Sequence, residues 1–155
     1  MLSQYIYQNM NMSRLMIVRA ENNHLKDIVN IEGHSFGKPW TYQSFSSEIM
    51  NEAGSNWVYV NNNQVKGYLF GWKIDFDYHI NNIAVDVLER RKGIAGKMID
   101  NIIFNLNIKN IFLEVSALNT EAIKLYQKIG FKESGVRLKY YHDRSDAILY
   151  QMKIK

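Results

Sequence analysis

The sequence contains no cysteine and a single proline in 155 residues. The lack of cysteine excludes disulfide bonds, thiolate zinc sites and cysteine nucleophiles. No stretch approaches the ~18 consecutive apolar residues of a membrane span, and no basic segment followed by an apolar one indicates a signal peptide. We therefore expect a cytoplasmic protein without a membrane partner.

The composition is otherwise that of a globular protein, with 46% hydrophobic and 22% charged residues. No linker composition interrupts the chain, so we predict a loosely ordered extension over residues 1–12 and one domain over residues 13–155. The net charge of +4 suits an anionic ligand. Because the basic residues form no stripe and no recognition motif is present, direct binding of nucleic acid is not expected.

Hydrophobic periodicity predicts the order β-α-α-β-β-β-α-β-α-β-β, which is an α/β fold with a mixed sheet and helices on its faces. The predicted strands cover residues 15–20, 57–60, 65–74, 80–85, 111–115, 131–141 (interrupted at 133–134) and 146–154. The predicted helices cover residues 25–32, 42–49, 94–106 and 120–129, with Thr41 and Asn119 as N-caps and Gly130 as the terminating glycine. A loop is predicted from Gly33 to Trp40, and a turn from Asp75 to Tyr78.

The stretch from Ile80 to Gly96 combines an apolar strand, a basic turn and a glycine that precedes a strongly periodic helix. Such a turn directs unpaired backbone N–H groups and the positive end of the helix dipole towards an anion. The sequence therefore predicts a phosphate-bearing cofactor at the start of this helix. The basic residues that would surround a diphosphate are Arg90, Arg91, Lys92 and Lys97. The alternative is a solvated basic turn.

Glu114 lies within an apolar strand, next to Phe112, Leu113 and Val115. An unpaired charge inside such a run is costly, and burial of a carboxyl group favours its use as a general base. The alternative is a glutamate near the strand end that reaches solvent or a neighbouring lysine.

Tyr126 lies on the apolar stripe of the following helix, one crossover away from Glu114. A phenol in that position could act as a general acid, or it could simply pack in the core with its hydroxyl at the rim. Tyr140 and Tyr141 are either substrate-facing aromatics or part of an ordinary hairpin. His34 and His79 are too isolated to indicate a metal site, and no nucleophilic serine motif is present.

Several motifs together resemble the GNAT superfamily of N-acetyltransferases. Its signature, Arg/Gln-x-x-Gly-x-Gly/Ala, corresponds to Arg90–Ala95. More narrowly, the chain is similar to the RimI group, which acetylates the N-terminal alanine of a small-subunit ribosomal protein. The similarity covers residues 15–154 and includes IEGHSFGKPW (31–40), HINNIAV (79–85), LEVSALNTEAIKLYQKIGF (113–131) and GVRLKYYHDRSDA (135–147).

The resemblance implies a GNAT fold with a splayed pair of central strands, acetyl-CoA as the cofactor, and Glu114 and Tyr126 as catalytic base and acid. It implies that the cofactor contacts Ile83, Ala84, Val85, Arg90, Arg91, Lys92, Gly93, Ile94, Ala95, Gly96, Asn119 and Tyr126. The acceptor would contact Phe36, Pro39, Trp40, Tyr140 and Tyr141. The implied partner is the N-terminus of a ribosomal protein, and we expect a monomer that needs no metal.

Three residues depart from the pattern of the group. Ala95 replaces the second motif glycine, Gly96 replaces a larger and commonly basic residue, and Ser116 replaces the usual arginine of a Leu-Glu-Val-Arg segment. Other GNAT activities, on different protein N-termini or on a small amine, therefore stay open, as does an idle CoA-binding module.

Overall fold

The computed structural model describes residues 15–155, so the predicted extension over residues 1–12 lies outside the described part. One seven-stranded sheet has the order β1-β2-β3-β4-β5-β7-β6. Its strands are β1 (Leu15–Arg19), β2 (Trp57–Asn61), β3 (Gln64–Ile74), β4 (Asp77–Val85), β5 (Asn110–Ser116), β6 (Lys132–Arg137) and β7 (Ala147–Lys153). The pairing of β4 with β5 is parallel and the other pairings are antiparallel, so the predicted mixed α/β sheet is confirmed.

Within residues 15–155, four helices cover the sheet, and two short 3₁₀ turns (Asn22–His24 and Val87–Glu89) precede the first and the third helix. The helices are α1 (Leu25–Ser35), α2 (Tyr42–Met50), α3 (Ile94–Asn105) and α4 (Thr120–Ile129). The predicted N-caps are confirmed, since the Thr41 side chain accepts a hydrogen bond from the Ser44 N–H and the Asn119 side chain accepts one from the Ala122 N–H. Gly130 ends α4 with φ of 117°, a conformation that glycine adopts without strain.

Two hydrophobic cores form because strand side chains alternate between the two faces of the sheet. Helices α1 and α2 bury one face, where Leu25, Ile28 and Phe45 pack with Tyr68 and Phe70. Helices α3 and α4 cover the other face, with a core that includes Met98, Ile99, Ile102, Ile111, Leu113 and Tyr126. The helices therefore lie on both faces, as predicted.

Strands β4 and β5 separate part of the way along the sheet. They pair only from Asp77↔Asn110 to Ile80↔Leu113, although β4 continues to Val85. At the same place the register of β3 with β4 shifts, because Phe70 pairs with Asn82 and Gly71 with Ile80. The intervening residue of β4 forms a bulge, which bends a strand and increases its twist. The splayed strand pair expected from the resemblance is thus present.

Helix α1 is longer than predicted. It continues through Gly33 to Ser35, so the following loop is shorter than the predicted one. Glycine disfavours a helix interior by about 1 kcal/mol, but tertiary contacts override this propensity. Here the preceding residue, Glu32, is buried, and the Ser35 hydroxyl donates to the Ile31 carbonyl.

Two strand boundaries also differ from the prediction. Strand β4 begins at Asp77 instead of Ile80, because Asp77 and Tyr78 already pair with β3, which reduces the predicted turn to Asp75 and Phe76. Strand β6 ends at Arg137 instead of continuing to Tyr141. Lys139 has φ of 52°, which is incompatible with an extended strand.

Candidate active site

The start of α3 has the geometry of an anion site. Gly93 precedes the helix with φ of 79°, and no side chain caps the helix. The first N–H groups of a helix have no intrahelical acceptor, so those of Ile94, Ala95 and Gly96 are directed towards any ligand there. A Cβ atom at Gly93 or Gly96 would meet no atom of the other described segments within 4 Å, so the space beside these two glycines is open.

Two basic side chains of the turn before α3 bind to other groups of the protein. The Arg90 side chain donates from Nε to the Val85 carbonyl (3.1 Å) and from Nη2 to the Ser35 hydroxyl (3.1 Å). Lys92 Nζ lies 2.8 Å from Glu89 Oε2. Of the four basic residues predicted to surround a diphosphate, Arg91 and Lys97 are exposed and have no ion-pair partner within residues 15–155. The hydrogen bonds of Arg90 instead connect the turn to β4 and α1.

One edge of β4 is available for a ligand with amide groups. Ile83, Ala84 and Val85 pair with β3, but β5 has already diverged from their other edge. This unpaired edge and the start of α3 lie on consecutive segments of the chain, which suits an extended ligand with a phosphate end. Asn119, at the start of α4, uses its Oδ1 atom as the helix cap (3.2 Å to the Ala122 nitrogen).

A cleft of about 620 Å³ opens on the α1–α2 side of the sheet. Trp40, Tyr140 and Tyr141 are the predicted substrate residues that line it, whereas Phe36 and Pro39 are exposed and lie outside the lining. Sequence reasoning did not find the other polar and aromatic lining residues, which include Glu48, Trp72, His79, Phe112 and Arg137.

Glu114 lies at one side of this cleft, near the end of β5. Its side chain is 31% exposed and pairs with Arg137, with 3.2 Å between Nη2 and Oε1. Of the two alternatives for Glu114, the structure shows the glutamate that reaches solvent, with Arg137 as its neighbour instead of a lysine. Strand alternation directs Leu113 and Val115 to the core beneath α3 and α4 and Glu114 to the opposite face. The Arg137 guanidinium also lies 5.5 Å from the centre of the Tyr140 ring.

Tyr126 lies on the other side of β5, in the hydrophobic core that α3 and α4 cover. Its ring packs edge-on against Phe131 at a centroid distance of 5.7 Å. Burial, reinforced by the nearby Tyr141 phenol, raises the pKa of Tyr126 to about 12. Burial and the negative charge of Glu114 also raise the pKa of Tyr141.

A buried carboxylate that sequence reasoning missed connects the loop between α1 and α2, which contains Trp40, to β4. Glu32 on α1 is only 1% exposed. It accepts hydrogen bonds from the Trp40 backbone N–H (2.7 Å), the Asn82 amide (3.1 Å) and the Tyr68 hydroxyl. Burial and the Glu32 hydrogen bond raise the pKa of the Tyr68 phenol above its ordinary value. A sequence signal existed, because Glu32 follows the apolar residue Ile28 by four positions on the core face of α1.

Within residues 15–155, no group of three or more His, Asp or Glu side chains could hold a metal ion. No helix of this same part of the chain is both long and apolar enough to cross a membrane.

Comparisons with known proteins agree with this geometry. The model of the acetyltransferase (GNAT) family matches residues 25–131. The Escherichia coli ribosomal protein bS18-alanine N-acetyltransferase is 29% identical over 144 residues, which are 89% of this chain and 97% of that protein. The Saccharolobus solfataricus N-alpha-acetyltransferase is 28% identical over 147 residues, covering 84% and 87% of the two proteins.

The similarity extends to solved structures. The crystal structure of the ribosomal-protein-S18-alanine N-acetyltransferase from Escherichia coli superposes with a TM-score of 0.83 at 28% identity, and the match covers 91% of this chain and 94% of that one. The open start of α3, the unpaired edge of β4 and the adjoining cleft fit an acyl donor with a diphosphate and an amide-bearing arm. The chain therefore belongs to the GNAT family and is an acetyltransferase that uses acetyl-CoA.

Proposed function

We propose that this protein transfers the acetyl group of acetyl-CoA to the N-terminal alanine amine of a small-subunit ribosomal protein, in the cytoplasm and as a monomer. The observation that carries the proposal is the cleft with Glu114 at one side, next to the gap between β4 and β5. The name of the Escherichia coli relative, matched over 97% of its length, supports this choice of acceptor.

In this proposal, the start of α3 and the edge of β4 hold the cofactor. The N–H groups of Ile94, Ala95 and Gly96 would bind the diphosphate, with Arg91 and Lys97 adding positive charge. Backbone groups of Ile83 to Val85 would bind the amides of the pantetheine arm, and Asn119 would contact it from α4. Acetyl-CoA supplies a thioester, whose carbonyl carbon is open to attack by an amine.

Glu114 would act as the general base for the acceptor amine. A free α-amine has a pKa near 8, so about a tenth of it is already neutral at pH 7 and modest assistance suffices. The Glu114 carboxylate reaches the cleft, and Arg137 restrains its orientation through the ion pair at 3.2 Å. It would accept the amine proton through a water molecule while the amine attacks the acetyl carbon.

Tyr126 would act as the general acid on the other side of β5. Its phenol has a pKa of about 12, so it holds its proton throughout the physiological range. From the α3 face of the gap, the Tyr126 hydroxyl would donate this proton to the leaving sulfur. A backbone N–H on the free edge of β4 would stabilise the negative oxygen that develops during attack. No covalent enzyme intermediate is needed.

The second candidate function is acetylation of other protein N-termini. The Saccharolobus solfataricus relative, an N-alpha-acetyltransferase, favours it because its name specifies no ribosomal target. The two candidates share every catalytic step and differ only in the acceptor sequence that the cleft prefers.

The test is a steady-state assay with acetyl-CoA and two acceptor peptides. One peptide begins with free alanine in the sequence of the small-subunit ribosomal protein from the same organism, and the other carries a different free N-terminal residue. We expect the alanine peptide to have the higher kcat/KM.

Glu114→Gln should lower the kcat for the alanine peptide by about 10²-fold or more. The exposed Glu133→Gln variant serves as the charge-matched control and should retain activity. Equal rates for both peptides would favour the second candidate, and an unchanged kcat in Glu114→Gln would overturn the assignment of the base.

A further inference from the structure

The far side of the acceptor cleft, away from Glu114, contains a second carboxylate among aromatic rings. Trp72, His79 and Phe112 are cross-strand partners on β3, β4 and β5, so their side chains share the face that the cleft occupies. The His79 and Phe112 rings stack at 5.1 Å. Glu48 on α2 closes this side and accepts a hydrogen bond from the Trp72 indole (2.6 Å, Nε1 to Oε2). Trp40 completes the aromatic wall.

The Glu48 carboxylate is suited to bind a cation. Within residues 15–155, no Lys, Arg or His nitrogen lies within 4 Å of it, whereas Glu114 in the same cleft is paired with Arg137. Both hydrogen bonds to the Glu48 carboxylate, from Trp72 and from the Asn51 side-chain amide (3.5 Å), go to Oε2, so Oε1 accepts none from the described residues. A carboxylate in a cleft lined by indole rings can combine ion pairing with cation–π attraction, and both favour an ammonium or guanidinium group.

The spacing of this wall from Glu114 matches a short piece of extended peptide. Phe112 precedes Glu114 by two residues on β5, which is about 7 Å, and Trp72 lies two strands from Phe112, which adds roughly 10 Å at right angles. The direct separation is therefore about 12 Å, and an extended chain advances about 3.4 Å per residue. Two extended residues cover about 7 Å of this distance, and a long lysine or arginine side chain covers the rest. A chain with its N-terminal amine at Glu114 would thus carry its second or third side chain to the side of the cleft that Trp72 and Glu48 form.

We propose that Glu48, Trp72 and Trp40 form a subsite for a lysine or arginine side chain at the second or third position of the acceptor. This inference rests on the proposed acetylation of a protein N-terminus and adds the class of sequence that the enzyme prefers. The alternative is that the hydrogen bond between Glu48 and Trp72 only holds α2 against the sheet. In that case a basic side chain on the acceptor would not raise kcat/KM.

The experiment measures kcat/KM with acetyl-CoA and matched peptides that begin with free alanine. One set carries lysine at position two or three, and the other carries norleucine there, which keeps the aliphatic chain and removes the charge. The enzymes are the wild type, Glu48→Gln and Glu52→Gln. Glutamine can still accept the Trp72 hydrogen bond, and Glu52 is an exposed carboxylate outside the cleft lining, so Glu52→Gln controls for the net charge.

We expect the wild type and Glu52→Gln to favour lysine over norleucine by about 5- to 10-fold at one of the two positions. Glu48→Gln should lose this preference, with kcat/KM falling more on the lysine peptide than on the norleucine peptide, and added salt should weaken the preference of the wild type. An equal preference in Glu48→Gln, or none in the wild type, would overturn the subsite while acetylation of both peptides still supports the proposed function. Failure to acetylate any free-alanine peptide would overturn both.

Discussion

At the residue scale, the fold gives three glutamates of the α1–α2 side different environments. Glu32 is buried and accepts three hydrogen bonds, Glu48 is partly buried against an indole, and Glu114 reaches the cleft beside Arg137. A carboxylate that is enclosed and fully hydrogen-bonded holds neighbouring elements in place, whereas one that reaches a cleft can exchange a proton with a substrate. A glutamate in α1 (Glu32) therefore stabilises the fold, whereas in our proposal a glutamate in β5 (Glu114) takes part in the reaction.

Glu32→Gln should lower the free energy of unfolding by about 1–3 kcal/mol. All three partners of Glu32 donate hydrogen bonds, so the glutamine NH₂ group must face at least one buried donor. Urea unfolding of the variant and the wild type measures the loss. Glu133→Gln on the exposed surface of β6 is the control and should change stability by less than about 0.5 kcal/mol. A loss in Glu32→Gln no larger than in the control would show that the network contributes little.

Tyr126→Phe should lower kcat by about 10²-fold at every pH between 6 and 9, since the phenol would donate its proton in the transition state. The pKa of about 12 lies above the ordinary tyrosine value of about 10, so folding favours the protonated phenol. The stability contributed by this shift is present below about pH 10 and is lost as the pH rises towards 12. A loss of wild-type activity near pH 8 that is absent in Tyr126→Phe would contradict the assigned protonation state.

At the element scale, the central feature is the bulge of β4 and the divergence of β5 that begins beside it. Gly71 on β3 faces this bulge, and a Cβ atom there would lie 2.5 Å from Tyr78 Cε1 and 2.6 Å from the His79 carbonyl oxygen. The close approach of the two strands at this point therefore requires glycine. Beyond it, β4 is free on the edge that would hold the cofactor.

Gly71→Ala should destabilise the protein by about 1–3 kcal/mol, because the backbone oxygen of His79 cannot move away without disturbing β4. The matched control is Gly135→Ala on β6, where a Cβ atom meets nothing within 4 Å. Thermal unfolding should show a lower Tm for the first variant and little change for the second. Equal Tm values for the two variants would show that the bulge is not constrained at Gly71.

The sequence predicted the elements well where the signals were local. The caps at Thr41 and Asn119 and the glycine at the start of α3 each depend on residues within one turn, and all three were found. Periodicity located the strands but not their ends, since the start of β4 is decided by pairing with β3. The Glu32 bond to Tyr68 spans 36 positions, and the contact of Arg137 with Glu114 joins β6 to β5. No local pattern specifies such contacts.

At the scale of the whole molecule, the sheet separates two cores, and the gap between β4 and β5 lies between them. The cleft and Glu114 lie on the α1–α2 face, whereas α3 and Tyr126 lie on the other. In our proposal the acetyl group sits in this gap, and the acceptor and the acid approach it from opposite faces. This division explains why Glu114 and Tyr126 need no direct contact.

Acetyl-CoA should stabilise the folded protein, because its proposed site requires β4 and α3 in their native arrangement. A ligand at 100 times its Kd adds about 2.7 kcal/mol, which a thermal shift assay detects as a higher Tm. S-acetylpantetheine lacks the diphosphate and leaves the start of α3 empty, so it should give a clearly smaller shift at the same concentration. Equal shifts for the two ligands would contradict the anion site at α3.

The most direct test of the central claim is mass spectrometry of the acetylated product. The intact small-subunit ribosomal protein, with its N-terminal alanine free, is incubated with acetyl-CoA and the full chain, and fragmentation locates the acetyl group. We predict one acetyl group on the alanine amine, formed about 10²-fold more slowly when Glu114→Gln replaces the wild type. An acetyl group on lysine side chains, with the alanine amine unmodified, would contradict the account.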